Sequence, residues 1–72
     1  MSKLTTLRRP TAIAPGFTVR AYSRYKSYGT HEEVVAIEGD VTALNDSEVH
    51  RLQKWLERWR IAKTDAEFRA TA

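Results

Sequence analysis

The hydrophobic period of this chain changes partway along it, from about two residues to about 3.6, and few folds accommodate both patterns in so short a sequence. Phe17, Val19 and Ala21 alternate with Thr18, Arg20, Tyr22 and Arg24, the pattern of a half-buried strand. Ser27-Tyr28-Gly29-Thr30 offers a reversal, because Gly29 is free to adopt a positive φ. A second strand is expected over residues 33–38, with Val35 and Ile37 opposing Val34 and Ala36. Gly39-Asp40 signals a tight turn. Residues 41–44 then form either a short third strand or the lead into a helix.

The helix announces its own start. Asn45 is a good N-cap, Glu48 can reach back to its amide as in a capping box, and Leu44 and Val49 stand at the positions of a hydrophobic staple. Asp46 and Glu48 put negative charge at the positive end of the helix dipole. With Val49 at zero and about 100° per residue, Leu56, Leu52, Trp59 and Trp55 complete an apolar stripe about 120° wide, which suits packing on a sheet. The core expected from these patterns is Phe17, Val19, Val35, Ile37, Leu44, Val49, Leu52, Leu56 and Trp59.

The two ends of the chain lack such order. Residues 1–16 show no sustained period and are punctuated by Pro10 and Pro15-Gly16, so they read as a flexible basic arm carrying Lys3, Arg8 and Arg9. Thr64 and Glu67 repeat the capping-box spacing, which predicts a separate short helical tail over residues 64–72. The expectation is an α+β domain over residues 17–63. In it, a small antiparallel sheet of two or three strands packs against one main helix, with the arm before it and the short helical segment after it.

At 72 residues there is room for one small core, burying only about 60% of the unfolded surface. With no cysteine, no disulfide or thiolate metal site can staple it. No apolar run approaches the length of a membrane span. The acid-free, Ser/Thr-bearing start has the composition of a transit peptide, but Pro10 and Pro15 would break its amphipathic helix. A cytoplasmic monomer is expected.

Charge is segregated along the chain. Six of the twelve Lys and Arg residues precede Glu32, and all nine acids lie at or beyond it. Segregation of this kind favours a basic face that attracts phosphate or acidic protein. Arg20, Tyr22, Arg24, Lys26 and Tyr28 interleave cations with rings. That composition suits phosphate pairing and base stacking, and equally a solvated sheet face protected from aggregation. Arg51, Lys54 and Arg58 form a second basic line on the helix, either a solvated face or a ridge for contacting phosphates. Trp55, at the edge of the stripe beside these arginines, is a core residue or an interface anchor. Glu32, Glu33, Glu38 and Asp40 surround the second strand, where they can pair with Arg20, Arg24 or Lys26 and cancel part of the basic surface.

Catalysis finds little support. His31 and His50 fall in different elements, and neither a phosphate-cradling glycine loop nor an HExxH pattern occurs. A metal site from His31, Glu33 and His50 has no basis in their spacing, so no catalytic residue, metal or cofactor is expected.

In size, basic N-terminal part and element order (arm, strands, helix), the chain resembles small early proteins of bacteriophages, including regulators of bacterial RNA polymerase. Small anti-CRISPR proteins share that outline. The resemblance includes no residue motif and carries over no functional residue. It implies a non-enzymatic regulator that binds a large host assembly, RNA polymerase in particular, to inhibit transcription or promote antitermination. Arg8, Arg9, Arg20, Tyr22, Arg24, Lys26, Tyr28 and Trp55 are the expected partner-binding residues, with nucleic acid adjacent to the protein partner. The alternative is direct nucleic-acid binding by the arm and hairpin. A third reading, an antitoxin-like or dimeric structural protein, places Val34 and Trp55 in a self-interface.

Overall fold

The computed structural model describes residues 3–71, with side chains from Leu4 to Phe68. Met1, Ser2, Ala72 and the Lys3 side chain expected in the basic arm lie outside that range. The elements are α1 (Lys3–Leu7), β1 (Thr11–Ala14), β2 (Phe17–Tyr25), β3 (His31–Glu38), a 3₁₀ turn (Val41–Ala43) and α2 (Asp46–Thr71). The strands form one antiparallel sheet in the order β1-β2-β3. The architecture is α+β, as the two periodicities predict. A 26-residue helix rises about 39 Å, so α2 accounts for the longest molecular dimension of 40 Å.

The expected arm is the main correction. Its described residues hold a helix and a strand, and Leu4, Leu7 and Ile13 enter the core. Leu4 and Leu7 share one face of α1 through their i, i+3 spacing. Pro10 comes close behind and cannot continue that helix. Pro15-Gly16 then joins β1 to β2, with Ala14 opposite Phe17 and Gly16 at φ 78. A two-residue loop with Pro first and a left-handed Gly second is type II turn chemistry. The third strand therefore comes from before β2. Residues 41–44 are no strand: Asp40 Oδ1 accepts hydrogen bonds from the Thr42 amide at 2.9 Å and its hydroxyl at 2.6 Å, which winds the chain into the 3₁₀ turn.

At the start of α2 the capping box forms in full. The Glu48 amide donates to Asn45 Oδ1 at 2.9 Å, and the Asn45 amide donates to Glu48 Oε1 at 3.0 Å. The separate tail helix does not form, because α2 runs unbroken through Thr64. The Thr64 hydroxyl donates to the Arg60 carbonyl one turn back at 2.9 Å instead of capping a new helix.

The core comprises Leu4, Leu7, Ile13, Phe17, Val19, Ala21, Leu52, Trp55 and Ala62, with Val35, Leu44, Leu56 and Trp59 partly buried against it. Two expected members fall short: Val49 is half-buried and Ile37 is 44% exposed. Both shifts have one cause. α2 packs against α1 and β1, so its buried face turns toward Trp55 and Ala62 and leaves the edge strand β3 thinly covered. Gly39 sits where a Cβ would stand 2.7 Å from Phe17 Cδ2 and 2.8 Å from the Gly16 carbonyl oxygen, so a side chain there must displace the hairpin base.

Candidate functional site

Antiparallel register puts Arg20, Tyr22 and Arg24 of β2 on the sheet face turned away from Phe17, Val19 and Ala21, opposite Ala36, Val34 and Glu32 of β3. The basic stretch identified in the sequence thus occupies a real surface, but its charges are not all available. Arg24 meets Glu32 directly across the strands, its Nε donating to Oε1 at 2.9 Å and its Nη2 donating to the same oxygen. Hydrogen bonding from Arg24, with its positive charge, holds the Glu32 carboxyl below its ordinary value of 4.5. Arg20 instead lies over the Tyr22 ring, 5.5 Å from its centroid, and remains exposed.

Arg8 and Arg9 part company. Arg8 makes a bidentate pair with Glu33, Nη1 to Oε2 at 2.7 Å and Nη2 to Oε1 at 2.8 Å, which ties the end of α1 to β3. Arg9 is exposed and makes no ion pair among the described residues. Trp55 is removed from the candidate surface altogether. It is 0% exposed, and its indole Nε1–H is buried without a hydrogen-bond partner among the described residues. The expected interface anchor is a core residue, because α1 and β1 cover the flank of α2 that a sheet alone would leave open.

Two exposed members of the expected set, Lys26 and Tyr28, lie at the tip of the β2–β3 hairpin. Every residue from Ser23 to His31 is exposed, including Tyr25 at 63% and Tyr28 at 99%. The tip is nonetheless built. The Lys26 amide donates to the Thr30 carbonyl at 2.9 Å, the Thr30 amide donates to the Ser27 carbonyl at 2.9 Å, and Tyr25 packs edge-on against His31 with ring centroids 5.5 Å apart. Tyr28 has φ 53 and precedes Gly29 at φ 76. A left-handed conformation is ordinary for glycine and unfavourable for a bulky residue. The Tyr-Gly pair was the signal in the sequence, but it marked Gly29 alone as the left-handed position.

On α2, Arg51, Lys54 and Arg58 are all exposed and form no ion pair among the described residues. Arg51 Nη1 makes one long contact, 3.4 Å, to the Ile13 carbonyl oxygen. Arg58 lines an open cavity of about 300 Å³ with Thr6, Leu7 and Ile61. Among the described residues, no group of three or more histidine, aspartate or glutamate side chains is placed to hold a metal ion. No described helix is long and apolar enough to cross a membrane. No protein-family model matches the chain, and no curated protein or solved structure matches it.

Proposed function

We propose that this chain is a non-enzymatic regulatory protein that docks on a large assembly through the β2–β3 hairpin tip. The observation that carries the reading is Tyr28, a fully exposed aromatic side chain on a left-handed backbone. Such a residue costs of order 1–2 kcal/mol relative to an extended or right-handed one. It contributes nothing to the core in return, and strain of this kind at an exposed ring is a recognised pointer to a binding role. Tyr25 and Lys26, exposed beside it at the tip, supply the company that an interface anchor ordinarily keeps.

The partner class comes from the resemblance to small phage early proteins: a bacterial RNA polymerase, met in the cytoplasm, with inhibition or antitermination as the consequence. Occupation of a surface is the mechanism, and the rest of the domain is a stand for the tip. The neutralisation of Arg8 by Glu33 and of Arg24 by Glu32 argues against the arm and hairpin as a direct nucleic-acid platform, since two of their arginines are already satisfied. Affinity capture from bacterial lysate, with and without nuclease, tests the proposal. The tagged wild-type chain is expected to retain polymerase after nuclease treatment, and Tyr28→Ala to lose it. Capture that disappears with nuclease would refute this reading and restore the nucleic-acid alternative.

A further inference from the structure

Beyond the hairpin tip, and independently of what the tip binds, we propose that the outer face of α2 pairs antiparallel with the same face of a second copy of this chain. Two large apolar side chains on this face are not used by the core: Ile61 is 61% exposed and Phe68 is 71% exposed. Seven residues separate them, about 20° short of two full turns, so one stands above the other. With Glu57 and Thr64 they form a seam on the side of α2 turned away from Trp55, Trp59 and Ala62. An open groove of about 520 Å³ follows the seam, lined by Arg60, Ile61, Thr64, Asp65 and Phe68.

Charge selects the occupant. Arg58 and Asp65 flank the seam on one side and Arg60 and Glu67 on the other, each about 80° round the helix from it. All four are exposed. On both flanks the cation comes first and the acid follows seven residues later. Together the four carry no net charge, so they favour neither a polyanion nor a polycation. Reversed end for end, the pattern complements itself.

A two-fold axis perpendicular to the helices, at about residues 62–63, sets each flank against its own copy. Arg58 then comes level with Asp65 of the second copy, and Arg60 with Glu67, each to within about 3 Å along the helix axis. The two-fold repeats both pairs. A parallel pairing joins charges about five residues apart across the seam, which engages only Arg60 with Asp65. In the antiparallel seam, Ile61 lies beside Thr64 of the other copy. Phe68 lies beside Glu57, close to the open cavity of about 300 Å³ that Leu7, Arg58 and Ile61 help to line. Glu57 opposes this packing, and each copy contributes only two large apolar side chains. The contact therefore belongs at the small, weak end of the interface range, below about 1,200 Å² in total, and association is reversible. Trp55, which a self-interface was expected to use, is buried and takes no part.

Sedimentation velocity of the full chain over a range of concentrations tests this, with circular dichroism confirming the fold of each variant. The wild type is expected to shift from monomer toward dimer as concentration rises, and Ile61→Asp to abolish the shift. Glu67→Arg should weaken the dimer about tenfold by setting Arg60 against a second cation, and the R60E/E67R double variant should restore it. Within one helix, charges interact at three and four residues rather than seven, so rescue reports a contact between copies. A short bismaleimide linker reads the direction, because the chain has no cysteine of its own. A thiol introduced by Thr64→Cys lies about 4.5 Å along the axis from its counterpart and should crosslink, whereas one introduced by Lys54→Cys lies about 25 Å away and should not. A monomer at every concentration overturns the proposal. So does a dimer indifferent to Ile61→Asp, or a Glu67→Arg defect that the double variant leaves uncorrected. Equal crosslinking at position 54 overturns the antiparallel arrangement.

Discussion

The two ends of the β2–β3 hairpin share strands and register but live under opposite rules. At the base, Phe17, Val19 and Ala21 are 2%, 1% and 0% exposed, and Gly39 packs so closely that a methyl group has no place. At the tip, nothing from Ser23 to His31 is buried, and Tyr28 occupies a backbone conformation that a glycine would accept more readily. The difference arises from the layer underneath. β1 pairs with β2 only as far as Val19, and from Ser23 onward every residue of β2 is exposed. Packing decides residue choice at the base, so a departure from local preference there would have to benefit the core. No such benefit exists at the tip, which is why Tyr28 calls for an explanation outside the fold.

Truncating the base should have the largest effect. Phe17→Ala removes a buried ring and is expected to cost about 3–5 kcal/mol, read by urea or thermal denaturation; a loss under about 1 kcal/mol would mean that the base is not the core. Gly39→Ala comes next. It sets a methyl group against Phe17 and the Gly16 carbonyl at φ 130 and should destabilise by about 2 kcal/mol, of the order known for overpacking and backbone strain. The tip should respond with the opposite sign. Tyr28→Asn, a residue that tolerates left-handed geometry, is expected to raise stability by up to about 1 kcal/mol while weakening capture of the partner. Loss of stability in that variant would show that Tyr28 supports the fold after all.

The smallest effect concerns pH. The Glu32 carboxyl lies below its ordinary value because of Arg24, and Asp40 lies below its own because its side chain accepts two hydrogen bonds from Thr42. Groups lowered in the folded state stabilise it above their unfolded pKa, and that contribution fades as the pH falls through the folded value. The melting temperature should therefore fall on acidification below about pH 4.5, and Arg24→Gln should make the acid limb shallower. Asp40 is exposed and Glu32 only partly covered, so the change is modest. A curve for Arg24→Gln that superimposes on wild type would show that the cross-strand pair does not hold Glu32 ionised.

How much of this was legible in the sequence depended on how local each signal was. The capping box of Asn45 and Glu48 and the alternation of β2 follow from spacing over a few residues, and each forms as expected. Pairing of the acids around the second strand with Arg20, Arg24 or Lys26 was an open choice, and the register selects Arg24 with Glu32. β1 has four residues and α1 five, too few to establish a period, and their burial depends on partners distant in the chain. With only a sheet beneath it, the helix is expected to pack through Val49, Leu52, Leu56 and Trp59. Leu4, Leu7 and Ile13 pack on its other flank and draw in Trp55 and Ala62, which turned an interface candidate into a core residue. Of the expected partner-binding set, Arg9, Arg20, Lys26 and Tyr28 stay exposed and Tyr22 half-exposed, while Arg8, Arg24 and Trp55 are taken up by the fold itself.

Central to the proposed function is that the hairpin tip meets a protein. Site-specific photocrosslinking tests this with a photoreactive phenylalanine analogue placed at position 28 of the full chain, activated in bacterial lysate after nuclease treatment. We predict one discrete adduct with an RNA polymerase subunit, absent when the analogue replaces Phe17 in the core. A reactive group at position 28 that finds only solvent, or many unrelated proteins at equal yield, would contradict the proposal that the tip is a docking surface.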